Sequence, residues 1–297
     1  MTTPVLLALL GALSFAMNAI FTRRAVLKVV DPTVGILISV PLSVPFFMLI
    51  LAIMGDLSSI ASFSWQAYAW LTVAGIVHFV VGRSFNYRLT KMVGANLASV
   101  INRFSPILSV VLGVTVLGET LSLKLALGVF LIIGGMLIAT INPSKSDLKK
   151  ISPMTGKAWL MGLFVSTAFG ISPIFIKFGL GDSGSPIAGA FVSYVGATAV
   201  LSTSMLSDNR RTILHSTKGM AFLWFCMAGL FSATAQLLRY VALSMGAASV
   251  VQPVFALSPF FLLLLSFFFN RKLETFGPMV IIGIFTAVCG TILLAQI

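Results

Sequence analysis

Residues 102–106 read NRFSP and lie within a long apolar run. The guanidinium of Arg103 keeps its charge at any ordinary pH, and Pro106 lacks the N–H that a helix interior uses. Pro106 therefore takes the helical partner away from the carbonyl of Asn102, four residues earlier, and is predicted to leave it free. Arg103 then has two interpretations: it binds an anion in a cavity, or it extends to free carbonyl groups and a polar surface.

Other polar side chains also interrupt apolar runs, where they need charged or hydrogen-bonding partners. They are Asn18, His78, Arg83, Tyr87, Gln236, Arg239 and Gln252. His78 is either a hydrogen-bonded interior residue or a group that binds substrate or a proton. Arg83 is either an interfacial anchor or part of a site. Together with Arg103 and Asn102, these residues form the predicted substrate-binding set. With 2 histidines in the chain, no metal site is expected, and no motif predicts a cofactor.

The composition places these residues in a membrane protein. Hydrophobic residues make up 58% of the 297 residues and charged residues 9%, and the mean hydropathy is +1.08. Soluble domains are about 25% charged, so this chain could not cover a water-facing surface. The net charge of +12 does not indicate nucleic acid as a partner, because the basic residues stand in short gaps between apolar runs, without a base-stacking platform.

The apolar runs predict an all-α membrane protein with ten transmembrane helices of about 20 residues each. We place them near residues 4–22, 33–54, 66–87, 95–117, 121–141, 156–177, 186–206, 218–241, 247–269 and 276–296. Most of the 19 Lys and Arg residues fall in the odd-numbered loops. These loops are therefore predicted to be cytoplasmic, with both termini outside, in a cell inner membrane.

The second half of the sequence repeats the first. The segment MVGANLASVINRFSP (92–106) matches SMGAASVVQPVFALSP (244–259), so that Pro106 and Pro259 occupy equivalent positions. We predict that both prolines act as hinges in the fourth helix of a five-helix unit. The first unit covers 1–141, a basic linker covers 142–154, and the second unit covers 155–297.

Further residues pair between the two units at a nearly constant spacing. The pairs are Arg23 with Lys177, Glu119 with Glu274, Gly128 with Gly283, and Gly135 with Gly290. Because each unit has an odd number of helices, the second must enter the membrane upside down. Such inverted repeats, with a site near the membrane midplane, are typical of secondary transporters.

The order of these features resembles the EamA-type proteins of the drug/metabolite transporter superfamily. The resemblance rests on the SP of the fourth span, the LGE that follows it (117–119) and the two glycines of the fifth span, and it covers the chain twice. It implies ten helices around a central cavity that the third and fourth helices of each unit line. It also implies export or exchange of small metabolites, commonly amino acids or related compounds. The sequence departs from the pattern at Asn270, where the second unit lacks the glycine and carries Arg271 and Lys272.

The positions of the acidic residues favour an anionic or zwitterionic substrate. All 7 fall in loops or at span ends: Asp31, Asp56, Glu119, Asp147, Asp182, Asp208 and Glu274. A cation/proton antiporter would need a carboxylate at membrane depth, so this class is disfavoured. An enzyme is also disfavoured: GLGD (179–182) matches an intramembrane protease signature, but no span offers the second aspartate which that chemistry needs.

We therefore predict a secondary transporter that moves an amino acid or another zwitterionic or anionic metabolite by alternating access. The alternative is a transporter of phosphorylated or nucleotide-conjugated compounds, which requires convergent cations; Arg103, Arg239 and Lys177 would have to meet in one cavity. A non-transporting receptor or scaffold is a more distant alternative. The expected partners are a small-molecule substrate and the lipid bilayer, and the protein is either a monomer or a homodimer.

Overall fold

The computed structural model describes residues 2–93, 98, 102, 104–140, 156–181, 184–204, 214, 217–269 and 278–296. The protein is helical throughout these ranges, which confirms the predicted all-α class. The helices are α1 (Thr2–Val26), α2 (Val34–Met54), α3 (Trp65–Gly75), α4 (Arg83–Val93), α5 (Phe104–Val116), α6 (Leu123–Thr140), α7 (Gly156–Leu180), α8 (Pro186–Ser204), α9 (Met220–Met245), α10 (Ala248–Phe255), α11 (Ser258–Phe269) and α12 (Pro278–Ala295). A short 3₁₀-helix (Leu57–Ser62) follows α2, and a π-helix (Ile76–Gly82) joins α3 to α4.

The described helices are long and apolar enough for a multi-pass membrane protein. Six of them can cross a bilayer by length and hydropathy: Thr2–Val26, Val34–Met54, Trp65–Met92, Gly156–Leu180, Pro186–Thr203 and Met220–Met245. Shorter apolar helices cover Phe104–Val116, Leu123–Ile138, Ala248–Leu262 and Ile281–Ala295. A helix needs about 20 apolar residues to span the hydrocarbon core, so the six long helices establish the membrane class.

The third predicted span, 66–87, is longer than expected because α3, the π-helix and α4 form one continuous helix to Val93. In the sequence, Gly94 follows Gly75 by nineteen positions, whereas the equivalent Gly246 follows Gly229 by seventeen. A π-helical turn holds more residues than an α-helical turn, and it often marks a functional site. The π-helix therefore takes up part of this excess in the first unit, and His78 lies within it.

The ninth predicted span, 247–269, is broken rather than continuous. Helix α10 ends at Phe255 and α11 starts at Ser258, so that Pro259 occupies a first turn, where its missing N–H costs nothing. Pro106 likewise lies in the first turn of α5. The prediction that Pro106 leaves the Asn102 carbonyl free is wrong, because the N–H of Ser105 donates to that carbonyl at 3.1 Å.

The two units are related by a pseudo-twofold axis. Helix α1 packs on α9 and the equivalent α7 packs on α3, the π-helix and α4; α2 packs on its equivalent α8, and α6 on its equivalent α12. In the last pair, Gly128 approaches the backbone of Gly290, and Gly135 approaches the backbone of Gly283. These equivalent helices therefore run antiparallel, as an inverted repeat requires.

Backbone contacts at glycines occur in the same places in both units. Gly75 lies against the backbone of Ser193, and the equivalent Gly229 lies against Ser39. A Cβ atom at Gly75 would overlap the Ser193 carbonyl. Small residues let membrane helices approach closely, and van der Waals packing of this kind stabilises helix association in lipid. The glycine pairs therefore set the distances between the helices that frame the interior.

Candidate functional site

A cavity of about 240 Å³ lies inside the bundle. Helices α1, α4, α5, α10 and α11 and the π-helix contribute most of its wall. The described lining residues are Phe15, Ala16, Asn18, Ala19, Thr22, His78, Arg83, Asn86, Tyr87, Thr90, Ala98, Asn102, Ser105, Phe169, Arg239, Gln252, Phe255, Ala256, Ser258, Pro259 and Leu262. This part of the wall holds two arginines and no carboxylate, so it favours a negatively charged group.

Arg239 of α9 lies at one end of this cavity and is 3% exposed. Its Nη1 is 3.2 Å from Nδ1 of His78, and its Nη2 donates to Oε1 of Gln252 at 3.1 Å. Its Nε has no hydrogen-bond partner among the described residues, and neither does Nε2 of Gln252. Buried donors without partners cost free energy unless a ligand or water accepts from them. Both side chains line the cavity while these two atoms are buried, so a small rotation of either side chain would present a donor to an acceptor there.

His78 lies between Arg239 and Gln236. Nη1 of Arg239 is 3.2 Å from Nδ1 and 3.5 Å from Nε2 of the ring, and a guanidinium can only donate to these nitrogens. The side-chain amide of Gln236 lies 2.8 Å from Nε2, and its oxygen accepts from the same Nη1 at 3.5 Å. Gln236 does not line the cavity. It holds His78, and His78 in turn holds Arg239.

Arg83, the second buried arginine, approaches the cavity from α4 and is 5% exposed. Its Nη2 donates to the hydroxyl of Ser232, its Nη1 lies 3.4 Å from the hydroxyl of Ser39, and its guanidinium carbon lies 5.5 Å from the centre of the Phe79 ring. These partners are neutral, so the positive charge is held in place without being cancelled. Arg83 is thus part of the cavity wall and not an interfacial anchor.

Side-chain amides occupy other parts of the wall. Nδ2 of Asn102 donates to Oδ1 of Asn86 at 2.8 Å, while Oδ1 of Asn102 has no partner among the described residues. Asn18 donates to the carbonyl of Ala228 at 2.7 Å. Tyr87 is held by Thr22 at 3.5 Å between the two oxygens. The wall therefore offers an acceptor at Asn102 in addition to the free donors of Arg239 and Gln252.

Two helix N-termini also open onto the cavity. Helix α5 starts at Phe104 and α11 starts at Ser258, and the lining includes Ser105, Ser258 and Pro259. A helix N-terminus carries a partial positive charge, although here the N–H of Ser105 donates to the Asn102 carbonyl and that of Phe260 to the Leu257 carbonyl. Both ends therefore add to the positive potential of the two arginines.

The structure brings together most of the residues that the sequence predicted. Asn18, His78, Arg83, Tyr87, Asn102, Arg239, Gln252 and Pro259 line the cavity, whereas Gln236 lies behind it, Pro106 is buried outside the lining, and Arg103 lies outside the described residues. Asn86 and Thr90 were missed, although both lie within two turns of Arg83 on α4. Phe15, Phe169 and Phe255 were also missed, because an aromatic ring inside an apolar run carries no signal of its own.

The cavity lies towards one face of the bundle. We call the face with residues 55–64, 117–122, 181, 184–185 and 246–247 the Glu119 face, where Ser185 donates to Asp56 at 2.8 Å. The opposite Lys91 face carries residues 27–33, 91–93 and 217–219, and there Lys91 donates to the carbonyl of Val29 at 3.0 Å. The lining extends to Thr90, in the last turns of α4, and along the second half of α1, so it approaches the Lys91 face.

A cavity with fixed positive groups, enclosed by apolar helices of two inverted units, defines the class as a multi-pass membrane transporter. The model of the EamA-like transporter family matches residues 2–141 and again residues 156–296. The protein therefore belongs to this family of the drug/metabolite transporter superfamily. A solved crystal structure, described only as that of a protein, shares 13% identity and a TM-score of 0.74 over 99% of this chain and 96% of that chain; this likeness shows the fold. No curated protein matches the chain.

Proposed function

We propose that the protein is a secondary transporter that moves a small anionic or zwitterionic metabolite through the cavity by alternating access. An amino acid or an organic anion would bind with its carboxylate at Arg239 and Gln252. The observation that carries this proposal is the pair of buried guanidiniums, Arg239 and Arg83, in a described wall without a carboxylate. The proposal assigns the protein no enzymatic activity.

The free hydrogen-bonding groups support a zwitterion as well as an anion. A carboxylate can accept from Nε of Arg239 and from Nε2 of Gln252 once the two side chains turn towards it, since neither atom has a hydrogen-bond partner among the described residues. An ammonium group can donate to Oδ1 of Asn102, which has no hydrogen-bond partner within the described part of the chain. Asn18, His78 and Tyr87 would shape the site, and Gln236 would support it from behind. Arg103 would add a further positive charge beside Asn102.

We further propose that ten helices cross the membrane and that the Lys91 face is cytoplasmic, in a cell inner membrane. The exposed basic residues Arg23, Arg24, Lys28, Arg88, Lys91 and Lys218 lie towards this face, as the positive-inside rule expects for a cytoplasmic side. Because the cavity approaches the same face, the structure would load substrate from the cytoplasm. Export or exchange is therefore the proposed direction, by a monomer or a homodimer.

The experiment is counterflow in liposomes that contain the purified protein. We expect uptake of at least one labelled amino acid or organic anion from a panel, and its loss in Arg239→Met. Arg24→Met is the matched control, since it removes an exposed arginine outside the cavity and should retain uptake. Arg103→Ala is expected to fold and to lose uptake as well. If Arg239→Met transports like the wild type, the proposed carboxylate site is wrong.

A second candidate substrate class is a phosphorylated or nucleotide-conjugated metabolite. It is favoured because Arg83 and Arg239 line one cavity together with two helix N-termini, and phosphate groups bind well to such donors. However, Lys177 does not join them, since its ammonium group contacts the carbonyl of Leu243 at 3.0 Å outside the cavity. Sugar phosphates and nucleotide conjugates in the same panel separate the two classes.

A further inference from the structure

We infer that Lys177 and Glu119 are positioning residues that close the cavity on the Glu119 face, and that Arg23 takes the part of Lys177 on the Lys91 face in the opposite conformation. The inference rests on the proposed alternating access, and it names the groups that set which face is open. None of the three residues lines the cavity.

Lys177 and Glu119 both bind the short connection between α9 and α10. Nζ of Lys177 donates to the carbonyls of Leu243 at 3.0 Å and Gly246 at 3.3 Å. The two carboxylate oxygens of Glu119 accept from the N–H groups of Ala248 at 2.7 Å and Ser249 at 2.9 Å. One side chain comes from α7 and the other from the loop after α5. The connection is therefore fixed to α7 of the second unit and to the loop after α5 of the first unit.

The charges of these two side chains suit the helix ends that they bind. α9 ends at Met245 and α10 starts at Ala248, so the lysine meets a negative helix C-terminus and the glutamate meets a positive N-terminus. α10 lacks a capping side chain of its own, which leaves Glu119 as the acceptor for its first N–H groups. The same two helices carry Arg239 and Gln252. Fixing the connection therefore also fixes the end of the cavity that holds the free donors.

The repeat places an equivalent cation on the opposite face. Arg23 is the counterpart of Lys177, and Lys91 and Gly94 are the counterparts of Leu243 and Gly246 at a spacing of 152 residues. Arg23 is exposed in this structure, on the face that the cavity approaches. In an inverted repeat, the two conformations exchange the roles of the units. When the Lys91 face closes, Arg23 should therefore donate to the carbonyl of Lys91, the counterpart of Leu243, while Lys177 is released.

Glu274 is the sequence counterpart of Glu119 and lies outside the described residues. By the same symmetry, Glu274 should take the part of Glu119 when the Lys91 face closes. An arginine at position 177 should make the same contacts as the lysine, since the equivalent position in the first unit carries Arg23.

The experiment measures from which side the cavity can be reached. Cys226 and Cys289 are the only cysteines and both are free, so Cys226→Ser and Cys289→Ser give a background in which Ala256→Cys places one thiol in the cavity. A membrane-impermeant maleimide is then added to oriented liposomes from the Glu119 face or from the Lys91 face. The readout is the ratio of the two labelling rates, which requires no substrate.

We expect Lys177→Met and Glu119→Gln each to raise the labelling rate from the Glu119 face relative to the Lys91 face by about tenfold, as the loss of a charged hydrogen bond predicts. Lys177→Arg should restore the wild-type ratio. Arg23→Met should change the ratio in the opposite direction, because it destabilises the conformation that is closed on the Lys91 face. Lys124→Met, which removes an exposed lysine on the Glu119 face, is the control and should change nothing.

The outcomes separate this inference from the proposed function. An unchanged ratio in folded Lys177→Met and Glu119→Gln would overturn the inference, and so would a shift of Arg23→Met in the same direction as Lys177→Met. Flux is measured in the same liposomes. A shifted ratio without anion flux would support the positioning role and reject the substrate class, whereas flux with an unchanged ratio would do the reverse.

Discussion

The two units share the residues that pack the helices and differ in the residues that face the cavity. Gly75 and Gly229 occupy equivalent positions: Gly75 of α3 lies against the backbone of α8, and Gly229 of α9 lies against the backbone of α2. In contrast, Tyr87 of α4 has Arg239 as its counterpart at the spacing of 152 residues that relates Gly94 to Gly246. The comparison shows that close packing constrains both units alike, while the site can diverge in each unit separately.

The π-helix is the clearest structural difference between the units. It adds residues to the third span of the first unit, and it carries His78 towards Arg239 of the second unit. The equivalent stretch of α9 is a regular α-helix. As a result, the first unit contributes His78 from the π-helix and Arg83 from α4 to the cavity wall, whereas the second unit contributes Arg239 and Gln252. The binding site is therefore asymmetric within a symmetric framework.

The largest expected effect tests this asymmetry at one equivalent pair. Arg239→Met should lower the initial rate of uptake by about 100-fold, because a charged hydrogen-bond donor to the substrate is lost. Tyr87→Phe should lower it by only about threefold, since the tyrosine hydroxyl makes one long contact, to Thr22. Uptake of the same labelled substrate in liposomes measures both. Equal losses at the two positions would show that the units contribute equally and would contradict the comparison.

The next effect concerns the shared packing and uses two adjacent glycines of α6. Gly135→Ala should lower the free energy of unfolding by about 1–3 kcal/mol, because its Cβ would overlap the backbone of α12. Gly134 has open space around the same position, so Gly134→Ala should be neutral or stabilise the helix by up to about 1 kcal/mol. Thermal unfolding in detergent measures the difference.

The same measurement on the second unit sharpens the result. Gly290 is the counterpart of Gly135 and approaches the backbone of α6. Gly290→Ala should therefore lower the melting temperature about as much as Gly135→Ala. A large loss in one unit and none in the other would mean that the symmetry of the contacts does not extend to their energies.

The sequence predicted the framework because packing between repeats leaves a regular pattern. The paired glycines, the paired Ser-Pro steps and the long apolar runs all have equivalents that can be aligned. The π-helix could not be predicted, since a difference of two residues between Gly75 and Gly94 and their counterparts does not show whether a loop or a helix takes up the excess. A hinge was predicted at Pro259, but a full break between Phe255 and Ser258 was not, because a proline inside an apolar run predicts a bend or an end equally well.

Much of the candidate site could also be predicted, because isolated polar residues in apolar runs need partners and tend to find one another. The partners themselves could not be assigned. Gln236 was expected to face the substrate, but it contacts His78 instead. Lys177 would have had to enter the cavity for a phosphorylated substrate, but it binds the end of α9. Asn86 was not recognised as a site residue, because it shares its helix with basic residues that are typical of a membrane interface.

A smaller effect is expected for the histidine that supports Arg239. His78→Gln should raise the KM for uptake by about tenfold, because an amide oxygen can still accept from the guanidinium but positions it less well. His78→Leu removes the acceptor and should reduce uptake further, towards the level of Arg239→Met. For both variants, the KM and the maximal rate of uptake are measured separately. If His78→Leu transports normally, Arg239 does not depend on His78 for its position.

The smallest effect on stability is expected at the two prolines, where both units should again behave alike. Pro106 and Pro259 lie in the first turns of α5 and α11, where an N–H would have no helical acceptor. Pro106→Ala and Pro259→Ala should therefore change the free energy of unfolding by less than about 1 kcal/mol, through the entropy of the unfolded chain. If the breaks serve as hinges, Pro259→Ala should nevertheless slow uptake, because α10 and α11 could join into one helix across Ala256, and Pro106→Ala should slow it through the equivalent step of the first unit. Normal uptake in both variants would remove the hinge role and leave the prolines as helix starts.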